Sequence, residues 1–159
     1  MPPAFFGGNS FMLNLSNPDL TQYPPRSIRV RLGGYAHLPR LLDKARAEIA
    51  GKNGEYHYNC PVDERLFAFT GIKPEEMLAA IKTGKSDTEM LAWVNEHCSR
   101  QMYEIMAWSV WLEQHGPGSV EGHEWLASVV KADAPEREDI RSFAELLDLD
   151  DYVTFGGKA

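Results

Sequence analysis

The chain has 159 residues, of which 43% are hydrophobic and 11% aromatic, and its formal net charge is −7. That length suits one domain with a sizeable core, and the composition is that of a folded protein. The acidic balance argues against nucleic-acid binding, because contact with phosphates needs clustered cations. The two cysteines, Cys60 and Cys98, match neither a disulfide framework nor a paired zinc-ligand spacing.

Residues 1–17 are predicted to form an N-terminal arm ahead of a single domain at 18–159. The arm has no basic residue, and Gly7-Gly8 interrupts its apolar stretch, so we expect no secretory signal. No apolar run is long enough for a membrane span. We therefore expect a cytoplasmic protein, without a membrane partner, whose thiols are reduced.

The first regular element is predicted just after a proline-rich stretch. Residues 27–32 alternate apolar and basic side chains, which is typical of a strand, and Gly33-Gly34 end the segment. The rest of the chain carries helical spacing of apolar residues. The signals for helix starts are prolines in first turns at Pro39, Pro61 and Pro74, and capping boxes that begin at Ser86 and Ser142. The sequence thus predicts a mainly α fold: one compact helical domain of about six helices with one short strand-like or extended N-terminal segment.

Three blocks of sequence resemble a known family. They are PPRSIRVRLGGYAHLPRLLDKARAEIAGKNGEYHYNCPVDERLFAFTGI, DTEMLAWV and the ending LLDLDDYVTFGGKA. Together they resemble a bacterial family of small proteins described as a domain of unknown function, DUF5069, over about residues 18–159. The resemblance implies no activity, cofactor or catalytic residue, so functional inference has to come from the residues themselves.

Three arginines near the strand-like segment form the first candidate site. Period-two spacing puts Arg29 and Arg31 on one face, and guanidinium groups suit a carboxylate or phosphate. A glycine pair ahead of a helix also lets backbone N–H groups approach an anion. The alternative is internal pairing, in which Arg26, Arg29 and Arg31 bind the acidic C-terminal residues Asp148, Asp150 and Asp151.

A second candidate lies in the irregular segment between two predicted helices, where phenols, an imidazole, an amide and a thiol follow one another. Such polar loops on a rigid scaffold are common places for binding sites. The leading interpretation is a pocket for a small anionic molecule or a peptide end. Its predicted lining is Arg29, Arg31, Tyr35, Tyr56, His57, Tyr58 and Asn59. The same side chains also suit a purely structural role, as donors to an irregular backbone.

Two further functions remain open from the sequence. Cys60 precedes the proline that starts a helix, and a helix N-terminus lowers the pKa of a thiol. His57 lies three residues earlier as a candidate base, so a cysteine-dependent enzyme is one alternative. The other is an interaction or self-association module that docks through Phe5, Phe6 and Phe11 of the arm. The five histidines show no second paired motif, so no metal site and no cofactor are predicted.

Overall fold

A computed structural model describes residues 13–159 of the protein. The aromatic residues of the predicted arm lie outside this range. Within it, the helices are α1 (Leu38–Ile49), α2 (Pro61–Thr70), α3 (Pro74–Lys82), α4 (Asp87–His97), α5 (Met102–Gln114), α6 (Val120–Asp133) and α7 (Phe143–Thr154). A two-stranded antiparallel hairpin, β1 (Arg31–Leu32) and β2 (Tyr35–Ala36), precedes them. The prediction of a mainly α domain is confirmed, with seven helices in the described residues where about six were expected.

The strand-like prediction for residues 27–32 is correct only at its end. Residues 27–30 form a turn, closed by a hydrogen bond from the backbone N–H of Val30 to the carbonyl of Ser27. Only Arg31 and Leu32 pair in the hairpin. The turn separates Arg29 from Arg31, so the two side chains do not share one face of a strand.

Helix α1 lies at the centre of the larger core. Its apolar residues Leu38, Leu41, Leu42 and Ala45 are all fully buried, and they pack against apolar side chains of the hairpin and of α2 to α5. Burying each leucine contributes about 1.5–3 kcal/mol to folding. Because α1 is covered on nearly all sides, its polar residues are buried too.

A smaller apolar cluster joins α6 and α7. Its members are Leu126, Val130, Ala134, Ile140, Leu146 and Leu149. Ser142 begins α7 with a capping box, in which its hydroxyl accepts from the backbone N–H of Glu145. This cluster packs α7, and with it the acidic residues of the C-terminal segment, against α6. In residues 13–159, no helix combines the length and the hydropathy that crossing a membrane requires.

Candidate functional site

The candidate site begins with charged residues inside α1. Arg40, Asp43 and Lys44 each expose 5% of their surface or less. A buried charge is costly unless an opposite charge and further hydrogen bonds compensate it. The partners of Arg40 and Lys44 therefore determine the polar architecture of this side of the domain.

The ammonium group of Lys44 binds three groups at the start of α2. It donates to both carboxylate oxygens of Asp63 at 2.8 and 2.9 Å and to the carbonyl oxygen of His57 at 3.0 Å. Its distance to the Cys60 sulfur is also 3.0 Å. Lys44 thus fixes the segment before α2 against α1, and it places a positive charge beside the thiol.

His37 also contacts Asp63. Its ring Nε2 lies 2.6 Å from the Asp63 carboxylate, and both side chains are fully buried. The backbone of His37 is left-handed, with φ of 70°, a conformation that is strained for a residue with a side chain. The opposite ring nitrogen, Nδ1, is the one buried side-chain polar atom in residues 13–159 without a hydrogen-bond partner.

Burial controls the protonation of this pair. Desolvation lowers the pKa of His37, and the contact with Asp63 only partly opposes that shift. Burial alone would raise the pKa of Asp63, but hydrogen bonds from His37 and Lys44 outweigh it and keep that pKa below its usual value. The arrangement is therefore a neutral imidazole that donates from Nε2 to an aspartate whose charge Lys44 balances.

Arg40 forms a second buried pair, with the C-terminal helix. Its guanidinium donates to both carboxylate oxygens of Asp151 at 2.7 and 3.1 Å. The hydroxyl of Tyr56 donates to the same carboxylate at 2.7 Å. Burial and the neighbouring carboxylate raise the pKa of Tyr56, so its phenol stays protonated as a donor. Asp151 thereby connects α1, the loop before α2 and α7.

A cavity of about 270 Å³ lies between these two buried pairs. Its wall consists of His37, Arg40, Lys44, Glu55, Tyr56, His57, Cys60, Val62, Leu147, Asp150 and Thr154. The wall carries cations and acids, and it includes His37, whose Nδ1 is unpartnered in residues 13–159. Burial and the nearby charge of Asp151 raise the pKa of Asp150.

The structure brings together three of the residues that the sequence singled out: Tyr56, His57 and Cys60. Cys60 begins α2, as expected. In the described residues, the His57 ring makes no hydrogen bond with the thiol, whose polar contact is Lys44.

Three other residues of the predicted lining have structural contacts elsewhere. Tyr35 is almost fully buried in the core and its hydroxyl donates to Asn95. Tyr58 donates to the carbonyl oxygen of Pro74 at 2.7 Å. Asn59 adopts a left-handed backbone with φ of 62°, and its N–H donates to Asp63.

The two arginines of the predicted lining also lie outside this cavity. Arg29 donates to Asp148 at 2.9 Å, which is one of the internal pairings that the sequence left open. Arg31 instead binds Glu113 of α5, at 3.0 and 3.1 Å. The structure does not place either guanidinium with the tyrosine and histidine loop.

The third arginine, Arg26, likewise has partners other than the C-terminal acids. It binds Asp43 of α1 and Asp87 of α4, at 3.0 and 2.7 Å. Arg46 shares Asp87. This network joins the N-terminal segment to α1 and α4, and its charges are balanced internally.

The sequence reasoning missed the residues that organise the cavity. His37, Arg40 and Lys44 lie at positions i, i+3 and i+7, so they follow one face of α1 from its N-terminal end. That spacing was visible in the sequence. The core leucines of α1 lie next to these residues, however, so the segment has the pattern of an ordinary amphipathic helix. Asp63 carried a visible signal too, as an acid in the first turn of α2. In the part of the chain that the structure describes, no three His, Cys, Asp or Glu side chains converge as metal ligands.

The fold and the cavity define a small, mainly helical domain with a polar, partly enclosed cavity beside α1. The family model of a domain of unknown function, DUF5069, matches residues 22–153. The chain therefore belongs to the DUF5069 family, which confirms the resemblance noted in its sequence. No match to a curated protein was found.

Proposed function

We propose that this protein binds a small anionic molecule, such as a carboxylate or the end of a peptide, in the cavity between α1 and α7. The observation that carries the proposal is His37, a residue of the cavity wall whose buried Nδ1 has no hydrogen-bond partner in residues 13–159. Buried polar atoms are nearly always hydrogen-bonded. A ligand that offers an O–H or N–H group would satisfy this one.

Arg40 supports the anionic part of the proposal. A guanidinium has five donors. Asp151 and the carbonyl oxygen of Arg26 accept three of them in the described residues, at 2.7 to 3.3 Å. The remaining donors suit a carboxylate of a ligand. Lys44 contributes charge rather than a free donor, because all its N–H groups have partners.

The acids of the wall set the selectivity of the proposed site. Glu55 and Asp150 also line the cavity, and they would repel a dianion while attracting an ammonium group. A molecule with one carboxylate and one amine or hydroxyl group therefore matches the wall better than phosphate does. The volume of about 270 Å³ lies just below the range of about 300–1,000 Å³ that is typical of pockets for drug-sized ligands, which suits a smaller, metabolite-sized molecule.

A thermal-shift screen tests the proposal. The panel contains amino acids, hydroxy acids, dipeptides, acetate and inorganic phosphate. A ligand at about 100 times its dissociation constant adds about 2.7 kcal/mol of stability, which corresponds to roughly 5–10 °C in Tm for a domain of this size. If no carboxylate stabilises the protein, the proposal is wrong.

Two pairs of variants assign any shift to this cavity. Thr154→Trp fills the cavity wall and should abolish the shift, whereas Tyr152→Trp, on the same helix but outside the wall, should keep it. Asp150→Asn removes a repelling charge and should tighten the binding of an anion. Glu124→Gln removes one charge from the exposed face of α6 and should leave affinity unchanged. Equal effects of Thr154→Trp and Tyr152→Trp would place the ligand elsewhere.

A second candidate function is cysteine chemistry in the same cavity. The specific observation is the 3.0 Å contact between Lys44 Nζ and Cys60 Sγ at the N-terminus of α2. A nearby ammonium group and a helix N-terminus both stabilise a negative charge on a cysteine sulfur. The test is the rate of iodoacetamide alkylation against pH in a Cys98→Ala background. A rate no higher than that of a free cysteine peptide at every pH would overturn this candidate.

The remaining expectations stay predictions. Self-association through the N-terminal arm would be lost on deletion of residues 1–17, and size-exclusion chromatography would show the change. A cytoplasmic location agrees with two free cysteines, Cys60 and Cys98, because oxidising compartments favour disulfides. We also expect a bacterial origin. Fractionation of the cells that produce the protein checks its location.

A further inference from the structure

Helix α5 presents an apolar face to solvent. Met102, Tyr103, Met106, Val110 and Trp111 expose between 43% and 72% of their surface. Tyr103, Met106 and Val110 lie together on one side of the helix, and Met102 and Trp111 flank them at its two edges. Glu113 lies at the edge of this face, where Arg31 binds it. We call these five residues the α5 face.

The α5 face continues onto neighbouring helices through ring contacts. Trp111 stacks on His115 with centroids 4.3 Å apart, and His115 lies 5.1 Å from Phe143. Phe143 in turn contacts Trp125 of α6, whose ring is half exposed. Ring contacts therefore link the α5 face to Trp125 of α6.

The size of this surface indicates an interface. Six large side chains that are each about half exposed present roughly 700 Å² in total, given the area of such side chains. That exceeds the largest apolar patch of a typical monomer, about 300–600 Å². It approaches the roughly 800 Å² per partner of a standard protein interface. Tryptophan, tyrosine and methionine are also the residues that are enriched in interface centres.

The charges around the α5 face are complementary to those of a second copy of the chain. Arg65 lies over the rings of Trp111 and Phe143, at 6.0 and 5.3 Å, and it has no carboxylate partner within residues 13–159. Glu104 lies at the opposite end of α5, with Arg100 as its one cation partner in that range. When two α5 helices pack antiparallel about a two-fold axis, Glu104 of one copy lies beside Arg65 of the other.

We propose that the α5 face is the interface of a symmetric homodimer, in which α5 of one copy packs antiparallel on α5 of a second copy. Ala107 lies near the middle of the helix and is exposed, so its small side chain allows the two helices to approach closely. Each Glu104 pairs with Arg65 of the second copy at the rim. A closed two-fold interface of this kind buries the same surface on both subunits. The proposal is independent of the ligand cavity and of the aromatic arm.

Sedimentation velocity of the full chain over the micromolar range tests the proposal. The expected result is twice the monomer mass. Tyr103→Lys should weaken dimerisation at least tenfold, because it places a charge in the apolar centre of the interface. Tyr152→Lys is the matched control: Tyr152 is similarly exposed but lies on α7, and its substitution should leave the dimer intact. Circular dichroism checks that both variants fold, and Met106→Lys replaces Tyr103→Lys if that variant unfolds.

Three outcomes would overturn the proposal. The first is a monomer at every concentration. The second is a dimer that Tyr103→Lys and Met106→Lys leave unchanged. The third is a dimer that deletion of residues 1–12 abolishes while both α5 variants retain it, because association would then depend on the arm.

Discussion

His37 and Asp63 form a hydrogen bond of 2.6 Å that is fully buried between α1 and α2. Lys44 binds the same carboxylate, so the negative charge of Asp63 is balanced without a second proton on the imidazole. His37 is therefore held as a neutral donor at Nε2, which leaves Nδ1 as an acceptor. This relationship underlies both the pH dependence and the chemistry proposed for the cavity.

Stability should fall as the pH decreases through about 6.5. An unfolded histidine titrates near pH 6.5, whereas burial holds the pKa of native His37 below that value. On acidification the unfolded chain binds a proton that the native protein does not, so the free energy of unfolding decreases until the native pKa is reached. Urea unfolding between about pH 7.5 and about pH 5.5 measures the loss.

His37→Gln keeps a donor towards Asp63 but does not titrate, so this variant should show a weaker pH dependence. His115 contributes in the same direction, because burial and Arg65 lower its pKa, and His115→Gln separates its share. Asp150 has the opposite effect on stability at lower pH. Its native pKa is raised, so the native protein binds that proton before the unfolded chain does, and the free energy of unfolding increases on acidification. An unchanged slope in His37→Gln would contradict the assignment to His37.

Removal of the Lys44 charge should be strongly destabilising. Lys44→Met leaves the carboxylate of Asp63 buried without its cation, which costs about 3–5 kcal/mol. Lys73→Met is the control, because Lys73 is exposed and its contact with Glu76 is 3.8 Å; that change should stay within about 1 kcal/mol. The double variant Lys44→Met/Asp63→Asn should recover part of the loss, and strictly additive losses in urea unfolding would contradict the pairing.

The two phenols of the loop before α2 should differ in their contribution to stability. Tyr56 donates to the charged carboxylate of Asp151, whereas Tyr58 donates to the neutral carbonyl of Pro74. Hydrogen bonds to charged groups contribute about 1.5–3 kcal/mol and neutral ones about 0.5–1.5 kcal/mol. Tyr56→Phe should therefore destabilise more than Tyr58→Phe in urea unfolding, and the reverse order would contradict the structure.

Ser109 should be important for the hairpin. Its buried hydroxyl accepts from the N–H of Ala36 at 2.9 Å and donates to the carbonyl oxygen of Gly34 at 2.6 Å. Ser109→Ala leaves both backbone groups without a partner, at a cost of about 2 kcal/mol or more. Ser128→Ala on the exposed side of α6 should change the unfolding free energy by no more than about 0.5 kcal/mol. Equal values for the two variants would contradict this role.

The helices could be predicted from the sequence because their signals are local. Pro39, Cys60-Pro61 and the capping boxes at Ser86 and Ser142 lie within a few residues of the ends that they mark. The period of two around Arg29 failed because a turn at 27–30 takes the place of strand pairing. A two-residue strand is too short for periodicity to identify.

The polar contacts of the cavity could be predicted only in part. Cys60 was expected at a helix start because a proline follows it. Its contact with Lys44, by contrast, depends on how α1 and α2 pack, and the residues around Cys60 in the sequence do not predict it. Arg40 pairs with Asp151 rather than with Asp148 or Asp150 because only Asp151 is buried against α1. Tertiary packing, rather than residue type, selects among the three acids.

The contact between Arg40 and Asp151 joins residues 111 positions apart in the chain. A nascent chain that lacks α7 contains a helix α1 whose arginine has no counter-charge, and the hydroxyl of Tyr56 has no acceptor there either. Early burial of α1 is therefore unfavourable, and the last helix has to dock before the central one is stable. The domain should fold as one cooperative unit once α7 is available to dock.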